Sequence, residues 1–536
     1  MTYFDSVFHP YPSSRKPVYA QSGMVATSQP LAAQAGLDIL KKGGNAVDAA
    51  IATAACLTVV EPTSNGIGGD AFALVWMKGE LHGLNASGPA PQSLSIDKLK
   101  EAGYENIPKT GVIPVTVPGA PSSWAALSKR FGRLPLTDVL QPAIDYAENG
   151  YPVSPTLHVL WRQGYNKYRS LKGSEFQSWF DTFAPRGRAP KVGEVWASPG
   201  HAATLRSIAE TNAESFYRGE LAEKIGQFCG KYWGCLTADD LAAYHPEWVS
   251  PIKVNYRGYD VWEIPPNGQG LVALQALNLL KGFDFPARDS VDTYHRQIEA
   301  LKLGFADGKK YITDPRSMSE RVENLLSDAY AAERRRLIGK EALVPEAGKP
   351  SKGGTVYLAA ADKDGNMVSF IQSNYMGFGS GLVVPETGIS LQNRGHNFSL
   401  DPSHDNALQP GKKTYHTIIP GFLTKGNEAV GPFGVMGGFM QPQGHVQVIM
   451  NTVDFHLNPQ AALDAPRWQW MEGKTVYVEH SFPNAIASAL ADRGHDIRVA
   501  LEPTSFGRGQ IIWRDAASGV LVGGTEPRTD GTAAAW

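Results

Sequence analysis

Residues 351 to 377 read SKGGTVYLAAADKDGNMVSFIQSNYMG. TVYLAAA alternates over 355–361, DKDGN at 362–366 is a turn with Asp364-Gly365 as its hairpin signal, and MVSFIQS runs back over 367–373. A hairpin centred on Asp364 sets Thr355 opposite Ser373, and directly opposed side chains have Cβ atoms about 4.5–5.5 Å apart. A slip of one residue would send Ser373 to the other face. Two hydroxyls therefore meet at the open end of the hairpin. A threonine hydroxyl needs a base to become a nucleophile. If the chain were cut before Thr355, its own α-amine would supply one, with a reference pKa of about 7.7–8.0. The preceding stretch, EALVPEAGKPSKGG at 341–354, reads as an exposed linker that could be cut without pulling secondary structure apart. On pattern alone, a plain strand threonine after a loop is the commoner reading.

Outward from this hairpin the chain mixes helices and strands. SQPLAAQAGLDILKKGG reads as a helix with Ser28 as N-cap and Pro30 just inside its start. NAVDAAIATAACLTVVEP starts a second on Asn45, with Asp48 in the first turn and a stop before Pro62. NGIGGDAFALVW leads into a strand, and 248–266 reads as a hairpin around Arg257 and Gly258. The region from about 120 to 345 is mostly helical, ERRRLIGK at 333–340 being a solvated helix face. The last third is strand-rich, with helical stretches near 458–466 and 483–494. No repeat of fixed period is present, and the pattern predicts helices layered on sheet.

Of the 536 residues, 42% are hydrophobic and 19% charged, a globular balance that excludes a disordered chain. Lys plus Arg is 50 against 52 for Asp plus Glu, a net charge of -2, which gives no electrostatic reason to expect nucleic acid or an anionic membrane as partner. Cys56, Cys229 and Cys235 cannot build a disulfide framework, although Cys229 and Cys235 could pair. The N-terminal stretch lacks the basic and apolar regions of a secretion signal, and the longest apolar run, 49–60, is too short to span a bilayer. A cytoplasmic, reducing setting is the expectation. No dinucleotide fingerprint or metal-ligand spacing is evident, so no cofactor or metal is expected. His396, His416 and His445 read as pocket or core histidines.

The chain resembles the γ-glutamyltransferase family of N-terminal nucleophile hydrolases along nearly its whole length. The resemblance rests on GGNAVDAAIA at 43–52, EPTSNGIGGDAF at 61–72, TVPGAPSSW at 116–124, LQPAIDYAENGYPVS at 140–154, PPNGQG at 265–270 and EALKLGFADGKKYITDP at 299–315. It continues through 355–370, GFGSGLVVPETGISLQN at 377–393, GVMGGFMQPQGH at 434–445 and EPRTDGTA at 526–533. It implies a four-layer αββα sandwich and self-cleavage of one precursor. The products would be a large subunit, 1–354, and a small subunit, 355–536, which together make one integrated domain and could associate further into an oligomer. It implies Thr355 as nucleophile, Ser373 as the hydroxyl that hydrogen-bonds it, and Gly437 and Gly438 as the oxyanion hole.

The chain departs from the γ-glutamyl pattern in the substrate pocket. Ser87, in NASGPAP at 85–91, stands where the family carries the arginine that holds an α-carboxylate. Asn397, after His396 in LQNRGHNFS, stands where it carries the carboxylate that holds an α-amine, and Arg394 replaces a neutral residue. His416 and Thr417 replace the paired serines of the transferases, and the segment 397–416 is short for a lid loop. Together with Tyr375 these residues form the expected pocket, with Arg394 as the replacement cation. The look is that of the branch with oxamate amidohydrolases and cephalosporin or glutaryl acylase-like proteins. The expected activity is hydrolysis of a small carboxylate-bearing acyl amide through a threonyl acyl-enzyme. The alternatives are a true γ-glutamyltransferase or glutathione hydrolase and, in another class, an unprocessed inactive relative that binds a small molecule.

Overall fold

The structure, a computed structural model, describes residues 15–345, 354–501 and 503–536. Most of the N-terminal stretch and residues 346–353 of the expected linker lie outside the described residues.

Alternation along the hairpin decides the layering. On strand Gly354–Asp362, Val356, Leu358 and Ala360 pack into a core beneath helices, while Tyr357, Ala359 and Ala361 pack into a core between two sheets. Residues 355–362 are thus each buried on one face or the other, and burying a large aliphatic side chain stabilises by about 1.5–3 kcal/mol. The first sheet has seven strands in the order Thr532–Ala535, Gly23–Thr27, Gly354–Asp362, Met367–Tyr375, Asp70–Met77, Glu80–Ala86 and Glu247–Val249. The second runs Val18–Ala20, Leu521–Thr525, Arg508–Arg514, Glu428–Met436, Gly421–Lys425, Tyr259–Glu263 and Ile252–Tyr256. All neighbours in both sheets are antiparallel. Phe72, Leu74, Ile371, Phe422 and Ile512 fill the space between them.

Helices close the outer faces. Pro30–Lys41 and Ala46–Val60 lie over the first sheet, backed by Leu136–Asn149. Gly270–Leu280 and Met440–Val453 lie over the second, backed by Val291–Tyr311. The result is the four-layer αββα sandwich. Among the described residues no helix is long and apolar enough to cross a membrane.

Helix Ala46–Val60 is buried at all fifteen positions and opens on a capping box between Asn45 and Asp48, as its sequence indicates. The first helix differs from expectation. Gln29 caps it, accepting from the N–H groups of Leu31 and Ala32, because the Ser28 hydroxyl donates instead to Glu61. The hairpin around Arg257 and Gly258 forms, both residues taking positive φ (51° and 85°) as a tight turn requires. The basic cluster after 333 is only partly solvated: Arg334 pairs with Asp307 at 3.1 Å, and Arg335 donates to the carbonyls of Asn278 and Leu279. The three cysteines are free thiols, all buried. The described end of the expected linker is docked, not extended into solvent. Ala342 N–H donates to the Arg493 carbonyl and Leu343 N–H to Glu299.

Candidate active site

The hairpin pairs in the expected register from Val356 opposite Gln372 to Ala361 opposite Met367. At the open end Gly354 faces Tyr375, so a β-bulge on the other arm sets Ser373 and Asn374 against the single residue Thr355. Thr355 Oγ1 and Ser373 Oγ lie 3.1 Å apart, both residues fully buried. The bulge re-aims the Ser373 arm opposite Thr355. Ser373 Oγ also accepts from the Tyr375 N–H at 2.8 Å and from Arg394 Nη2 at 3.4 Å. Tyr375 ends its strand at φ 74°, a costly conformation for a side chain of this size, and its ring lies 4.3 Å beneath the Arg394 guanidinium.

The second sheet brings the glycine pair from the opposite side. Strand Glu428–Met436 ends immediately before Gly437, and helix Met440–Val453 starts just after Gly438. Gly437 takes φ 138° and Gly438 φ 61°, and a Cβ on Gly437 would meet the Gly507 backbone at 3.1 Å. Their carbonyls accept within the turn, from the Met440 and Gln441 N–H groups, and Gln269 Nε2 also reaches the Gly438 carbonyl at 2.9 Å. Among the described residues the two glycine N–H groups make no hydrogen bond. One residue into the helix, Gln441 accepts the Ile419 N–H and donates to Thr355 Oγ1 at 3.4 Å.

Arg394 is fully buried. Its Nη1 donates to Thr417 Oγ1 at 2.6 Å, its Nε has no hydrogen-bond partner, and no carboxylate lies within ion-pairing distance among the described residues. Burial lowers its pKa to about 10, with Asp70 and Tyr375 acting in the opposite direction. Asp70 is the buried carboxylate nearest in influence. Burial pushes it up to about 7, against Arg394 and donors from Gly88, Gly119 and Gln392. His416 donates from Nε2 to Asp70 at 2.9 Å and accepts the Ile418 N–H at Nδ1. Burial and the nearby Arg394 and Lys413 hold its pKa well down, so the ring is neutral.

The remaining sequence candidates cluster around this frame. Asn397 accepts from Tyr375 Oη at 2.7 Å and donates to the Tyr415 carbonyl. His396 is turned away, its Nδ1 donating to the Ile107 carbonyl at 2.6 Å. Ser87 is buried, donating to Asn85 Oδ1 at 2.7 Å and accepting from Asn267 Nδ2. His445 lies elsewhere, paired with Glu263 at 2.6 Å, so the three histidines serve three separate partners. Sequence reasoning missed Asp70, Gln269, Asn267 and Gln441. The one available signal was Asp70 itself, a charge directly after two glycines at the start of a buried strand.

Residues 32–536 match the family model described as gamma-glutamyltranspeptidase. The chain belongs to that family. Among gamma-glutamyltranspeptidase relatives, the glutathione hydrolase-like YwrD proenzyme of Bacillus subtilis is 39% identical over 530 residues, covering 97% of this chain and 99% of the relative. The oxamate amidohydrolase proenzyme of Klebsiella pneumoniae is 34% identical over 529 residues, covering 96% and 98%. The crystal structure of cephalosporin acylase from Bacillus halodurans superposes with a TM-score of 0.98 at 69% identity, covering 100% of this chain and 99% of that one.

Away from this site, His295, Glu299 and His495 are buried and close enough to hold a metal ion. Most of their polar atoms are already engaged, His495 Nδ1 being the one without a hydrogen-bond partner among the described residues. Glu299 pairs with Lys302 at 2.7 Å, and the two imidazoles hydrogen-bond each other at 2.8 Å.

Proposed function

We propose that the chain is a self-processing amidohydrolase whose nucleophile is Thr355, acting on a small acyl amide that bears a carboxylate beside the scissile bond. The observation that carries the reading is the 3.1 Å approach of the Thr355 and Ser373 hydroxyls, with Gln441, three residues after Gly438, reaching Thr355 Oγ1 at 3.4 Å. In the intact chain, Thr355 Oγ1 attacks the Gly354 carbonyl. The peptide C–N bond breaks, an ester forms, and water hydrolyses it to leave a Gly354 carboxylate and a free Thr355 α-amine. That amine then serves as the base. It takes the Oγ1 proton as the oxygen attacks the substrate carbonyl, and passes it to the leaving amine. Water, activated by the same group, hydrolyses the acyl-enzyme. The N–H groups of Gly437 and Gly438 stabilise the oxyanion in both reactions.

The carboxylate preference follows from Arg394, a buried guanidinium whose Nε has no hydrogen-bond partner and which has no carboxylate paired to it among the described residues. The similarity to a glutathione hydrolase-like protein favours a γ-glutamyl amide as second reading. Against it, Ser87 is committed to Asn85 and Asn267 and offers no charge to an α-carboxylate. Turnover assays with oxamate, a glutaryl amide and γ-glutamyl anilide test the choice. Oxamate or glutaryl turnover supports the proposal, and efficient use of the γ-glutamyl substrate alone overturns it.

A further inference from the structure

The glycine pair has no side chain of its own to hold it. Gly437 and Gly438 take φ 138° and 61°, and a peptide flanked by two glycines turns its N–H away at little cost. Gln269, fully buried and directly before helix Gly270–Leu280, holds the turn from outside. Its side chain makes no cap for that helix. Instead Nε2 donates to the Gly438 carbonyl at 2.9 Å and to the Thr417 carbonyl at 2.5 Å, which uses both hydrogens of the amide. Oε1 accepts from the Tyr415 hydroxyl at 2.9 Å, so the amide nitrogen faces the two carbonyls. The backbone repeats the tie. The His416 N–H donates to the Asn267 carbonyl at 2.8 Å, and the Gln269 N–H to the His416 carbonyl at 3.0 Å. Thr417 in turn accepts from Arg394 at its hydroxyl. One primary amide thus joins the Arg394 pocket to the glycine turn. It comes from the chain before Thr355, whereas Thr417 and Gly438 come from the chain after it.

Resting on the function proposed above, we propose that Gln269 is a positioning residue for the reaction, fixing the Gly437–Gly438 turn relative to Thr417 and Arg394 so that the scissile carbonyl oxygen meets the glycine N–H groups. Both polar atoms of its side chain are engaged within the protein, so it acts through its two carbonyl partners. The oxyanion exists only once Thr355 has attacked. Loosening the turn therefore weakens binding of the transition state and leaves binding of the substrate nearly as it was.

The test uses two variants. Gln269→Met keeps the length of the side chain and removes its hydrogen bonds. Tyr415→Phe leaves Gln269 in place and removes only the hydroxyl that orients it. The substrate is whichever of oxamate, a glutaryl amide and γ-glutamyl anilide the unmodified enzyme turns over, and the acid it releases serves as inhibitor. We expect kcat to fall at least about tenfold in Gln269→Met and about threefold in Tyr415→Phe, with KM and the inhibition constant of the acid nearly unchanged. Self-cleavage, which uses the same turn, should slow in the same order. Unchanged kcat in both variants, or a loss confined to KM and the inhibition constant, overturns the role. If Gln269→Met does not fold, Tyr415→Phe decides alone by the same criteria. If only γ-glutamyl anilide is turned over, the acyl reading fails separately, and the same constants still decide Gln269. Activity in Thr355→Ala would overturn the threonine mechanism and this role with it.

Discussion

Thr355 holds its hydroxyl 3.1 Å from that of Ser373, at a bulge on the strand hydrogen-bonded to its own. In the proposed mechanism the attacking and assisting groups thus come from the two arms of one short hairpin, and their spacing depends on local pairing more than on distant packing. The unmodified 57.9 kDa chain should therefore convert to fragments of about 38 and 20 kDa, in proportion to 354 and 182 of its 536 residues. The smaller should begin Thr-Val-Tyr-Leu on N-terminal sequencing. Thr355→Ala should remain one chain and be inactive. A variant that still splits at this bond would remove Thr355 from the chemistry.

Ser373→Ala deletes the contact with Thr355 Oγ1, an oxygen that becomes charged as it attacks in the proposed mechanism. Hydrogen bonds to charged groups are worth about 1.5–3 kcal/mol, so kcat should fall at least about tenfold and processing should slow in parallel. Thermal unfolding should change little. Time-resolved gel electrophoresis and steady-state kinetics on processed material check the two effects.

Arg394→Ala should lower kcat/KM by about tenfold or more for a carboxylate-bearing amide and much less for a neutral amide of equal size. An equal loss on both would mean that the guanidinium acts only through Thr417 and Ser373, which it touches directly.

Gly437→Ala places a side chain at φ 138° against the Gly507 backbone. Moving one oxyanion donor should cost about 10²-fold in kcat with the fold retained by circular dichroism. Wild-type turnover in this variant would exclude the pair as the oxyanion hole.

Asp70 provides a pH signature. Its folded pKa, about 7, lies above its unfolded value, so the folded chain holds an extra proton between about pH 4 and 7. Its contribution to stability is thus most favourable at the acid end of that window and declines as pH rises through it. Asp70→Asn should flatten this part of the profile in denaturant titrations at pH 5, 6 and 7. An unchanged slope would show that Asp70 does not titrate there.

The hairpin was legible because its information is local: period-two alternation, an Asp-Gly turn and a register fixed by that turn. The same holds for helix Ala46–Val60, whose cap and start lie within four residues of each other. Gln441 and Asp70 were not legible. Gln441 reaches Thr355 across 86 positions and Asp70 meets His416 across 346, so only the packing of sheet on sheet brings them together. Ser28 shows the same competition in miniature: a good local cap was taken by Glu61, 33 residues away.

Strand Gly354–Asp362 has Gly23–Thr27 on one side and Met367–Tyr375 on the other, with Asp70–Met77 beyond and Thr532–Ala535 at the far edge. Cutting before Thr355 would make that sheet a weave, with threads of both polypeptides alternating across it. Such a pair cannot be dissociated by dilution or by salt, because parting the pieces means tearing out interior strands. Scission is then irreversible in a second sense: fragments from two differently labelled molecules would never exchange partners short of complete denaturation, and each active molecule would carry for life the two halves it was made with.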